Sequence, residues 1–195
     1  SITNNGDINN YENDTIANNN TFINNKLINN DGIIINKAIT GNLTNNLTFN
    51  NTSTATLTNY GLLTLSSAGT ITNDNLMYNT KTSATVNATF NIVGTLNNNA
   101  SGTLENTGNI TNKINGIITN PGTIDNRGGI TNNALINTTG SILNKTAGTI
   151  TNNLTLNNNT NGIIDNDGTI NYTPNSVFSN YATLTNDSLI IDEGT

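Results

Sequence analysis

The sequence predicts an all-β fold, a three-sided parallel β-solenoid of about ten coils with about 20 residues in each. Three observations predict it. One short phrase recurs along the whole chain, and the apolar residues fall into columns spaced by a coil. The composition is also too poor in apolar and charged residues for an ordinary globule.

The phrase is Gly-x-(Ile/Leu)-x-Asn. Of the 17 glycines, 13 begin it, from Gly6 to Gly162. In residues 120–153, NPGTIDNRGGITNNALINTTGSILNKTAGTITNN, it follows itself with little added. Each copy reads as a short strand. In Thr149-Ile150-Thr151, alternation sends the isoleucine to one side and both threonines to the other. β-Branched residues suit that conformation. Glycine and asparagine between strands are expected to supply the positive-φ backbone of the corners.

The columns turn a row of strands into a coil. Ile110, Ile130, Ile150, Ile170 and Ile190 follow at intervals of twenty. Counting backwards extends this column through Phe90, Ile71, Phe49, Ile28 and Ile8. A second column holds Leu104, Ile124, Ile142, Ile164 and Leu184, preceded by Val86, Leu63, Leu43, Ile23 and Ile2. The third holds Leu96, Ile118, Ile136, Leu156 and Phe178, preceded by Leu76, Leu57, Ile34 and Ile16. Three columns per cycle mean three sides, with Ile and Leu inside and Thr and Asn outside. Asparagines keep the same period: Asn10, Asn30, Asn51 and Asn73, then Asn112, Asn132 and Asn152. Stacked one coil apart, such amides are expected to bond along the rod axis as ladders. The whole chain, residues 1–195, reads as a single solenoid segment.

Composition excludes several functions. The net charge is −6, and six basic residues scattered along the chain offer no patch for nucleic acid. No apolar run is long enough to span a bilayer as a helix. Neither cysteine nor histidine is present, so disulfides, thiolate sites, imidazole ligands and imidazole bases are unavailable. No signal peptide opens the chain, as expected of a piece excised from a longer repetitive protein.

These cysteine-free Gly-x-Ile-x-Asn coils resemble the β-helical stalks and passengers of filamentous-haemagglutinin-like adhesins and autotransporters of Gram-negative bacteria. The resemblance spans the chain. It implies a right-handed β-helix at the extracellular bacterial cell surface, used in attachment, with a host-cell or surface ligand, protein or glycan, bound elsewhere in the parent protein. Neighbouring solenoid coils or end-to-end self-association are the other expected partners.

Four features could carry more than architecture. Glu105, Asp125 and Asp165 form one outward column beside Arg127 and Lys145, and a solvated charge row is the expected reading. No catalytic residue, cofactor site or metal site is assigned to it. Outward Thr-x-Thr pairs occur at Thr56/Thr58, Thr70/Thr72, Thr149/Thr151 and Thr183/Thr185, and flat threonine arrays of this kind order water in ice-binding solenoids. Sequons abound, among them Asn42, Asn46, Asn87, Asn109, Asn137, Asn153 and Asn158. Residues 172–181, YTPNSVFSNY, break the phrase and read as a loop insertion, with Pro174 at a corner and Phe178 in its core column. The expected function is non-catalytic: a stalk or adhesive surface segment. The alternatives are a stand-alone ice- or glycan-binding solenoid and a self-assembling fibre subunit.

Overall fold

The structure, a computed structural model, describes residues 1–38, 40–83 and 85–193. It is a β-solenoid of 28 strands, nearly all four residues long, from β1 (Ile2–Asn4) to β28 (Leu189–Asp192). Every third strand joins the same sheet, giving sheet A with ten strands and sheets B and C with nine each. All pairings are parallel and most are in register over the full strand. At ~4.8 Å per coil the ten strands of sheet A span about 43 Å.

Each strand alternates outward, inward, outward, inward, so both the second and the fourth residue face the interior. The second residue is the large apolar one. Sheet A stacks Phe22, Leu43, Leu63, Phe90, Ile110, Ile130, Ile150 and Ile170, all buried, with Ile190 partly buried at the end. Sheet B stacks Ile28, Phe49, Ile71, Leu96, Ile118, Ile136 and Leu156 before Phe178. Sheet C stacks Ile34, Leu57, Met77, Leu104, Ile124, Ile142 and Ile164 before Leu184.

From Phe90 onwards these are the columns expected from periodicity. Before it they are not. The corner between β12 (Leu76–Asn79) and β13 (Thr89–Ile92) is a nine-residue excursion, 80–88, whereas many corners need two. Leu63 therefore pairs with Phe90, 27 positions on, and a backward count of twenty lands on Ile71 in sheet B. Before Phe90 each column therefore lies on a different side from the one its period indicates. Val86 lies in the excursion and not in the core, and Phe22 and Met77 occupy the inward positions expected of Ile23 and Leu76. Of residues 172–181, Tyr172 closes β25 (Thr169–Tyr172), Thr173–Ser176 turn a corner, and 177–180 form β26 (Val177–Asn180).

The corners also differ from expectation. Among the described residues no glycine has positive φ; only Asn13, Asn115 and Asn161 do. Glycine is needed instead because successive corners stack closely. A Cβ on Gly122 would overlap the carbonyl oxygens of Asn99 and Gly102, and one on Gly140 those of Pro121 and Gly122. The glycine of the phrase is a point of close backbone approach.

Candidate functional site

The fourth residue of each strand was expected outside. It lies inside, as asparagine in most coils, and its carboxamide is completely buried through the middle of the rod. An unpaired amide there would be costly. Sheet C solves this with an unbroken file from Asn18 to Asn186: eight Nδ2–H groups donate to the Oδ1 of the next coil at 2.7–2.8 Å. The second N–H reaches a backbone carbonyl at the start of a following strand, as Asn106 Nδ2 does to Gly129 O at 3.0 Å. That second bond fixes the amide orientation and ties each corner to the coil above.

The other two files are interrupted. Sheet B runs from Asn10 through Asn30, Asn51, Asn73 and Asn98 to Asn120, which donates to Thr138 Oγ1 at 3.0 Å. Thr138 donates only to backbone oxygens, so Asn158 Oδ1 beyond it has no partner. Sheet A links Asn4, Asn24 and Asn45, meets Leu65 and Ile92, and resumes through Asn112, Asn132 and Asn152. Asn112 Oδ1 faces Ile92 and is likewise unpaired. Asn10 to Asn73 and Asn112 to Asn152 are thus two ladders on different sheets, an ambiguity created by the same excursion.

At the end of the sheet A file stands Tyr172, 4% exposed, its ring stacked on Phe178 with centroids 5.0 Å apart. Its hydroxyl has no hydrogen-bond partner. Burial first, and then the Asp192 carboxylate, push its phenol pKa well above the usual value.

With the interior filled by self-contacts, function falls to the outward positions, and the three sides differ. Sheet C is the ionic side. Glu105 and Asp125 are register neighbours on successive coils, but Leu143 separates Asp125 from Asp165. Arg127 holds Asp125 at 2.9 Å, and Lys145 lies 3.9 Å from Asp165 and 3.7 Å from Asp167. Asp167 and Asp187 join Asp165 in a cluster whose carboxylate oxygens lie within 4.8 Å of one another. Among the described residues these three are the acidic group drawn closely enough together to meet a cation, and Lys145 already serves two of them.

Over three coils the corner between sheets A and B has an apolar stretch. Ile114, Ile117, Leu135 and Leu154 line a shallow groove of about 770 Å³ there, with Ile114 72% exposed. Sheet B presents mostly asparagines at the third strand position, and several bond to each other along the rod: Asn29 to Asn9, Asn50 to Asn29, Asn157 to Asn137. Sheet A carries no charged residue at the first or third position of any strand. Its third-position file includes Thr64, Asn91, Thr111, Thr131, Thr151 and Asn171; over the same coils its first-position file is Leu62, Thr89, Asn109, Gly129, Thr149 and Thr169. The four expected Thr-x-Thr pairs are spread over all three sheets. Of the sequons, Asn158 is sealed in a ladder, whereas Asn87 and Asn109 are exposed.

Among the described residues no helix is long and apolar enough to cross a membrane. Compared with protein-family models, with curated proteins and with solved structures, the chain matches none.

Proposed function

We propose that this chain is a non-catalytic structural segment of an extracellular adhesin at the bacterial cell surface, a stiff spacer that holds a binding region away from its base. The observation that carries this reading is how the inward positions are used. The second and fourth residues of nearly every strand are spent on packing against, or bonding to, the next coil. Such a rod gains length by adding coils, with each one contacting chiefly its neighbours. The family resemblance of the Gly-x-Ile-x-Asn phrase points to the same use. Further coils of the same kind are the partners that fit the margins of the three sheets.

The test is the intact mass of the native protein recovered from its source, together with protease shaving of whole cells. A mass well above 20.6 kDa and release of these peptides from intact cells are expected. A native mass at 20.6 kDa, or peptides protected until lysis, overturns the proposal.

A further inference from the structure

We propose that the outer face of sheet A binds ice, holding an ordered layer of water across its threonine and asparagine grid. Three observations carry this. Thr64, Asn91, Thr111, Thr131, Thr151 and Asn171 follow in strict register on six successive coils. Among the described residues their side-chain polar groups make no hydrogen bond to protein; Asn171 Oδ1 is shielded from solvent, so that residue offers the layer only its amide N–H groups. The face is also free of charge, unlike sheet C.

The contrast with sheet B is informative. There the outward amides point along the rod and satisfy one another, leaving less for an external lattice. On sheet A the same positions are mostly hydroxyls without protein partners. The third-position file repeats at ~4.8 Å along the axis, and ~6.8 Å across the strand a second polar side chain accompanies it in four of the six coils, with Leu62 and Gly129 in the other two. β-Branched threonine has a restricted χ1, so methyl and hydroxyl recur in the same place from coil to coil. Waters bridging such hydroxyls are placed by a scaffold that is already ordered, which lowers the cost of immobilising them. A charged side chain would impose its own hydration shell on that layer, and no outward strand position of sheet A carries one; Lys113 and Arg127 stand in the flanking corners. A neutral polysaccharide also presents hydroxyls, but sheet A turns no aromatic ring outward for a sugar to stack on.

The sheet A face is the same whether the rod stands alone or lies within a longer surface protein. It is tested with the intact chain in an ice-recrystallisation assay and by measuring the freezing hysteresis gap. Wild type is expected to keep crystals small where an inert protein of equal mass does not. Thr131→Lys, at the centre of the grid, should raise the concentration needed by about tenfold or more. Thr119→Lys at the matching position of sheet B should leave it unchanged. Thr151→Tyr, a good strand former that disrupts the flat face, should behave as Thr131→Lys does, and circular dichroism checks that each variant is folded. Absence of activity in wild type overturns the proposal. So do equal losses on sheets A and B, or retention on microcrystalline cellulose without any effect on ice.

Discussion

Replacing Asn126 by alanine removes one rung from the middle of the unbroken ladder. Asn126 Oδ1 accepts Asn106 Nδ2 at 2.8 Å, and its own Nδ2 donates to Asn144 Oδ1 at 2.8 Å. Alanine leaves Asn144 Oδ1 with no donor and strips Asn106 Nδ2 of one of its two acceptors, both in a fully buried setting. Each orphaned buried group costs about 1–3 kcal/mol, so Asn126→Ala should destabilise the central coils by about 4 kcal/mol. Solenoid coils couple mainly to their neighbours, so the loss should be local. Amide hydrogen exchange reads it directly: protection should fall in the strands holding Asn106, Asn126 and Asn144 and persist near Asn30. Asn97→Ala, an outward position on sheet B, is the control and should change stability by less than about 0.5 kcal/mol. A loss below about 1 kcal/mol for Asn126→Ala, or one equal to the control, would refute the claim that buried amide ladders hold the rod together.

The sheet A gap offers a converse test. Leu65→Asn or Ile92→Asn alone buries an amide with one side unserved, whereas the double variant completes the file from Asn45 to Asn112. The two changes should couple favourably by about 1–3 kcal/mol in a double-mutant cycle, and an additive result counts against the ladder geometry. Gly122→Ala should cost roughly 1–3 kcal/mol in denaturant melts because stacked backbone must move apart. Gly6→Ala, which meets nothing within 4 Å, should be neutral or slightly stabilising. Tyr172→Phe removes an unsatisfied hydroxyl and should gain about 1 kcal/mol at neutral pH. The native phenol ionises less readily than the unfolded one. Wild type should therefore lose stability as pH rises above about 10, where the unfolded phenol titrates, and the phenylalanine variant should lack that loss.

Much of this was legible because a solenoid writes its period into the chain. Ile110 to Ile190 announce one side of the rod, and Thr149-Ile150-Thr151 shows which residue points inward. The fourth-position asparagines were visible as a periodic file, but a hydrophobicity pattern assigns a polar residue to the surface. Alternation along the strand was the signal that could have placed them: if Ile150 faces inward, so does Asn152 two residues later. Local sequence suggests backbone freedom for the glycines, whereas their use is steric. A Cβ at Gly122 is excluded by carbonyls of the preceding coil, which no local window of sequence contains. The outward column of Glu105, Asp125 and Asp165 was legible from the repeat, whereas its interruption by Leu143 follows from the strand register.

The sequence by itself determined the class of fold, the three-sided coil and the identity of the apolar columns after Phe90, since strand periodicity and a regular repeat are local properties. Only the tertiary structure decided which columns join before Phe90, because nine residues at one corner shift the count onto the next side. It also decided that the asparagines are buried: an amide can enter the core only when the next coil supplies its partner, and that partner lies about 20 residues away.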